Sequence, residues 1–389
     1  MLLIKNAKLY PVTGDVIDNG QMLVDDSGKI AAIGTTVNAP ANVNVVDLNG
    51  KTVLPGLIDI HSHVGVWGDG EGPAGYDGNE KPAAVNPKVS ALDAANPRQI
   101  SFKGAQEGGI TTVQILPGSG NPIGGLGFAC KTEGTIIDNM VIKNPTGLKG
   151  ALGENPKRFH GQSLKHAPST RMGTAGLIRE YFEEVKAYMV KKNKAEAEDT
   201  AFDKNMHYEP GVMVMKGEIP FRVHAHRHDD IVTVVRLCEE LGVKYTIEHC
   251  TDGHLIADYL AEHKVVACVG PGLSGASKVE TANFTDANPA ILHKAGVKVC
   301  LMTDHPFLNC RHFLVYGAVS SKYGISLNDT LKMMTINPAE QLGIEDRVGS
   351  LEVGKDADFI VLGGHPFAHT TAIEATYIEG KKVWETPIY

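Results

Sequence analysis

No apolar run in this 389-residue chain approaches the roughly 20 residues that a helix needs to cross a bilayer. The opening Met1-Leu-Leu-Ile4, interrupted by Lys5 and Lys8, is too short and too broken to read as a secretory leader. Basic residues are in the minority. With 37 Lys+Arg against 45 Asp+Glu the net charge is −8, which offers no footprint for nucleic acid. The expected setting is therefore cytoplasmic, with neither a membrane nor a nucleic acid as partner. Cys-x-x-Cys pairs are also missing. The 6 cysteines, Cys130, Cys238, Cys250, Cys268, Cys300 and Cys310, stand singly, so reduced and mostly buried thiols are expected. There is no internal repeat and no low-complexity segment. The Gly-rich Gly118-Ser-Gly-Asn-Pro-Ile-Gly-Gly125 lacks the Gly-Lys-Ser/Thr ending of a phosphate loop and reads as loop scaffolding beside a pocket. What remains is a chain of 42% hydrophobic and 21% charged residues, the composition of a globular protein with a large core.

The pattern changes twice along the chain. Residues 1–54 and 347–389 carry short apolar runs punctuated by Asp/Gly turns, the habit of antiparallel strands, and predict one small β-sandwich domain built from both ends. Residues 55–346 alternate apolar strands with amphipathic helices, the habit of βα units. Candidate strands are Leu57–Ile60, Thr111–Leu116, Gly147–Leu152, Phe221–Ala225, Lys244–Glu248, Val265–Val269 and Val297–Met302. The clearest helix runs from Thr174, its predicted cap, to about Ala197. Asp229–Leu241 and Ser326–Leu342 follow. Seven or eight such units predict an α/β fold, a (β/α)8 TIM-like barrel. Polar stretches at 68–98 and 117–127 read as long loops, which in compact domains are more often functional than idle.

A barrel of this kind carries its reacting groups at the C-terminal ends of its strands. His61-Ser-His63 ends the first predicted strand, and its i and i+2 side chains share a face and can grip one cation. His224 and His249 end two later strands, and Asp304 follows the last. One such residue is commonplace; four events at strand ends are not. His226 and His228 follow His224 on a loop or first helical turn, where they would orient neighbours or meet substrate, with exchange for His224 as the alternative. Asp229 and Asp230 suit a helix N-terminus. Arg158, Arg171, Arg222, Arg227 and Arg311 flank the strand ends, and one of them could hold a substrate carboxylate.

With these residues in place the chain resembles the amidohydrolase superfamily of metal-dependent hydrolases. Gly56-Leu-Ile-Asp-Ile-His-Ser-His63 is similar to its opening signature, and Ala339–Asp358 to its exit from the barrel into the β domain. The likeness extends over essentially the whole chain and is nearest the branch containing imidazolonepropionase. It implies that His61 and His63 bind one metal, that His224 and His249 bind a second, and that an acid on the fourth strand bridges this binuclear centre. Glu154, nearer the strand end, is the favoured bridge, and a carbamylated Lys149 is the alternative. The two lie five positions apart, roughly 16 Å along an extended strand, so only one of them reaches the mouth. The ligand set suits two Zn2+ ions, with Mn2+ or Fe2+ as substitutes.

The expected reaction is hydrolysis of a C–N bond, an amide or cyclic amide of a small substrate, by a metal-activated water with Asp304 as general acid and base. A mononuclear deaminase of the same fold is one alternative. It is weakened because Ala225-His-Arg-His-Asp229 lacks the glutamate that deaminase-like relatives carry there. A non-catalytic scaffold without a metal is another, weakened by the intact histidines. A homo-oligomer is the default assembly.

Overall fold

The computed structural model describes residues 1–387. Eight strands from the two chain ends form one sheet: β1 (Leu2–Leu9), β2 (Ile17–Val24), β3 (Ile30–Gly34), β4 (Asn44–Asp47), β5 (Thr52–Pro55), β14 (Phe359–Leu362), β15 (Ile373–Ile378) and β16 (Lys381–Glu385). Its order is β16-β15-β14-β5-β1-β2-β3, with β4 also on β1. Leu2–Lys5 of β1 pair with β4 and Lys8–Leu9 with β5, so the sheet branches at β1. Alternate residues of its strands, among them Ile4, Leu9, Met22, Val53, Phe359 and Tyr377, share one core separate from that of the barrel. The two chain ends meet directly where Val53 pairs with Val361.

The other eight strands make a nearly closed barrel: β6 (Leu57–Ser62), β7 (Ile110–Ile115), β8 (Ile123–Lys131), β9 (Val141–Ala151), β10 (Phe221–Ala225), β11 (Tyr245–His249), β12 (Val266–Val269) and β13 (Lys298–Leu301). The Asp304 amide donates to the His61 carbonyl at 3.0 Å and the His63 amide to the His305 carbonyl at 3.1 Å, which ties the last strand to the first at the mouth. Both sides of these strands are covered, so they read as continuous apolar runs and not as alternation.

One strand departs from the expected βα order. β8 runs antiparallel to both β7 and β9, and its first half falls in the stretch 117–127 that reads as loop. Its glycines mask it in the sequence but are needed there. A Cβ on Gly127 would lie 2.4 Å from Leu116 Cδ2 and 2.9 Å from the Ile115 carbonyl oxygen, and Gly125 takes φ +110°.

The helices differ from expectation mainly at their ends. The long one spans Arg171–Ala197 and is capped by Thr170, whose Oγ1 accepts the Gly173 amide at 3.0 Å, while Thr174 lies buried one turn in. Ile178, Tyr181, Phe182, Val185 and Tyr188 form its buried face, as their spacing predicts. The predicted helix 326–342 is two helices, Leu327–Met334 and Ile336–Leu342, broken at Thr335 (φ −138°, ψ −84°). All six cysteines are free and buried. Among the described residues no helix is long and apolar enough to cross a membrane.

Candidate metal centre

The side chains at the barrel mouth are held from behind, one by one. His61 Nδ1 donates to Glu248 Oε2 at 2.7 Å, and Glu248 is fixed in turn by the Thr246 hydroxyl at 2.6 Å and the buried Arg222 guanidinium at 3.5 Å. His63 Nδ1 donates to the Leu116 carbonyl at 2.8 Å, and His249 Nδ1 to the Gly270 carbonyl at 3.0 Å. His226 Nδ1 bonds the Thr251 hydroxyl at 2.7 Å. Donation from Nδ1 to a carboxylate or carbonyl fixes both ring orientation and tautomer in His61, His63 and His249, leaving the Nε2 lone pair for a cation, while the Thr251 hydroxyl fixes the orientation of His226. His224 is the exception: both of its ring nitrogens are buried without a hydrogen-bond partner.

Those free atoms converge. Asp304 Oδ1 lies 3.2 Å from His63 Nε2 and 3.4 Å from His61 Nε2. Two sets, His61/His249/Asp304 and His224/His226/His249, offer donor atoms close enough to share one ion each. Burial pushes His61, His224, His226 and His249 well below the usual imidazole range. Lys149 adds to this at His61, and Lys278 and then Lys149 at His224. Neutral imidazole is the ligand form. His249 and Asp304 themselves sit at φ +73° and +51°, a left-handed backbone that costs free energy in a non-glycine residue and concentrates at functional sites.

The two candidates for a bridging group part here. Lys149, paired in register with Arg222 and fully buried, brings its Nζ to 3.3 Å from His61 Nε2. Burial lowers its amine to about 8, against the opposing pull of Glu248 and Asp304. Glu154 lies past the end of β9 in a helical turn. Its backbone amide bonds Glu280 Oε2 at 2.7 Å, and no hydrogen bond or ion pair joins its carboxylate to the cluster. The structure therefore brings together His61, His63, His224, His249 and Asp304, adds Lys149, and leaves Glu154 outside.

A cavity of about 270 Å3 opens above these groups, with Trp67, Phe159 and Phe307 among its walls. Of the five flanking arginines only Arg158 lines it. Arg171 pairs with Asp230, Arg227 with Asp229, Arg311 with Glu107, and Arg222 is sealed inside the barrel. The loop 68–98 contributes Asn79, and Ser119 comes from the Gly-rich segment. Glu248, Lys278 and Glu280 escape a reading by strand ends: the first lies beneath the mouth, and the other two come from a polar loop with no periodic signal.

A barrel whose mouth gathers imidazoles, a carboxylate and a buried lysine is a candidate metal site. Residues 151–383 match the model of the Amidohydrolase family, more than half of the chain, and the chain belongs to that family. It is 25% identical over 401 residues to amidohydrolase tasK of Hapsidospora irregularis, covering 96% of this chain but spanning only 40% of that protein's length. An imidazolonepropionase of Fusobacterium nucleatum is 24% identical over 416 residues, with 95% of this chain and 93% of that one covered. The crystal structure of an amidohydrolase from Thermotoga maritima superposes with TM-score 0.96 at 44% identity, covering 99% and 100% of the two chains. A prolidase complexed with N-methylphosphonate-L-proline shares the fold alone, with TM-score 0.62 at 17% identity and 99% and 100% covered.

Proposed function

We propose that the chain is a metal-dependent hydrolase of a C–N bond, an amide or cyclic amide of a small substrate, working with two Zn2+ ions at the barrel mouth. The observation that carries this is the convergence of buried, neutral imidazole nitrogens on Asp304, together with His224, whose two orphaned nitrogens fit a ligand better than a core residue. His61, His63 and Asp304 would hold one ion and His224 and His249 the other. Lys149 would join them as a carbamate, formed when its neutral amine adds to carbon dioxide and gives up a proton. Position supports this choice over Glu154. When bound, the metals supply a water of lowered pKa and polarise the substrate carbonyl.

The remaining work falls to the chain. Asp304, placed between His61 and His63, takes a proton from the attacking water and returns it to the leaving nitrogen. Glu248 and the carbonyls of Leu116 and Gly270 keep the imidazoles in their ligand tautomer. Trp67 and Phe307, edge to face at 5.9 Å, wall the cavity and limit the water that reaches it.

Two measurements on the full chain test the reading together. Elemental analysis should find about two metal equivalents; one would favour the deaminase alternative and none a scaffold. A panel of lactams, hydantoins, N-acyl amino acids and dipeptides should yield a hydrolysed member, with activity lost to a chelator and restored by zinc. Turnover that survives complete metal removal would sink it.

A further inference from the structure

We propose that Glu280 and His226 join His224 and His249 at the second metal position, so that three imidazoles and a carboxylate brought in by the loop after β12 would hold that ion beside the proposed Lys149 bridge. The inference rests on the metal reading above and adds two ligands to it. Glu280 sits in a turn at Val279–Thr281 that points it inward, 2% exposed. Its two oxygens have separate tasks. Oε2 accepts the Glu154 amide at 2.7 Å, which fixes the carboxylate plane. Oε1 is buried, pairs with the Lys278 ammonium at 2.6 Å, and faces His224 Nε2 at 3.8 Å and His226 Nε2 at 3.9 Å.

Those separations are too long for hydrogen bonds. They come near those of donors that share an ion: two tetrahedral ligands each about 2.1 Å from zinc stand about 3.4 Å apart, so a shift of a few tenths of an ångström brings these atoms to one ion. Three lone-pair-bearing atoms turned toward one another in a dry site repel unless a cation lies among them. Lys278 supplies part of that charge, its ammonium 2.6 Å from Oε1, and Asn155 Oδ1 also accepts from it at 3.1 Å. His226 fits the same purpose. Its Nδ1 is committed to Thr251, which leaves Nε2 aimed inward beside His224 and His249 with ring centroids 4.6 Å from each.

A second role for Glu280 is as a clasp that pins its loop to the Glu154 amide, and glutamine separates the two. Glu280→Gln keeps a carbonyl oxygen for that amide but removes the anionic donor. Full-length protein, stripped with a chelator, is titrated with Zn2+ and with Co2+, with bound metal counted by elemental analysis after dialysis and Co2+ followed by its visible absorption. In the wild type two equivalents should bind. In Glu280→Gln and in His226→Gln the first should bind as before, while the second binds at least about tenfold more weakly and its cobalt band changes intensity. Unchanged affinity and spectrum for the second equivalent in either variant overturns the proposal. If Glu280→Gln fails to fold, His226→Gln carries the same test by itself. Wild-type protein that binds no metal, or one, removes the binuclear reading beneath the inference, an outcome distinct from a variant that behaves as wild type.

Discussion

At the scale of single residues, the site is a set of lone pairs held in place from behind, and each has a measurable consequence. Asp304 combines a carboxylate close to His61 and His63 with a left-handed backbone, so its side chain is positioned at the cost of a conformation that non-glycine residues rarely adopt. Asp304→Asn keeps the volume but removes the ionisable carboxylate, and with it the proposed base. It should lower kcat by about 10^2- to 10^4-fold while metal stays bound, read by steady-state kinetics beside elemental analysis. Retained turnover would remove Asp304 as proton carrier. Lys149→Met should lose the second metal equivalent and nearly all activity, whereas Glu154→Gln should keep both equivalents, because only Lys149 approaches His61. The strand-end rule makes His61, His63, His224, His249 and Asp304 legible in the sequence, since each follows an apolar run. It favours Glu154 for the bridge because it weighs distance along the backbone alone. A lysine has four methylenes with which to climb from an inward position on β9 to the mouth. Glu280 leaves no such trace, because nothing in a polar loop says which carboxylate will turn inward.

At the scale of elements, most strands and helices are legible because burial imposes a period or an unbroken apolar run. The failures are informative. β8 is written with glycines at 124, 125 and 127, and glycine is the ordinary mark of a loop, yet here it lets three strands pack closely where the barrel departs from βα order. Gly127→Ala should therefore destabilise the protein by about 1–3 kcal/mol, read from a urea midpoint, because the Ile115 backbone in the way cannot rotate aside. Gly176→Ala, in the long helix with nothing within 4 Å of the added carbon, should instead stabilise by about 0.5–1 kcal/mol. Opposite signs for one chemical change would show that β8 is a strand by packing and not by propensity. The break at Thr335 is harder to foresee. Apolar periodicity continues through it, and the Thr335 hydroxyl donates to the Leu331 carbonyl at 2.6 Å, a bond that depends on the local backbone.

At the scale of the molecule, the barrel and the small sheet are joined by charge as well as by chain. Lys131 ends β8 in the barrel, and its ammonium lies 2.5 Å from Asp358 and 3.0 Å from Asp356, both in the segment leading into β14. Asp358 also accepts the Glu379 amide at 2.9 Å, and its carbonyl accepts the amide of Gly56, where β5 passes into β6. All three side chains are nearly sealed from solvent. Truncating one member of a buried ion group leaves the others unpaired, at a cost of about 3–5 kcal/mol. Asp356 keeps Lys29 at 2.9 Å and Arg347 at 2.8 Å, so Lys131→Met should fall near the lower figure. The deficit should depend on pH in a defined direction. Burial raises the Asp356 carboxyl, but Lys131, Lys29 and Arg347 together hold it below its ordinary 3.8. A carboxyl depressed by folding contributes stability above its unfolded value and loses it as pH falls through the folded one. With Lys131 gone much of that contribution is already absent. The gap between wild type and Lys131→Met should therefore be widest above about pH 4 and narrow as the pH falls through the depressed folded value of the wild type, below which the carboxylate is neutralised in both proteins. Denaturant midpoints for the pair at several pH values decide the matter. A gap that stays constant across the range would assign the loss to packing of the lysine stem and leave the charge with no part in docking the two sheets.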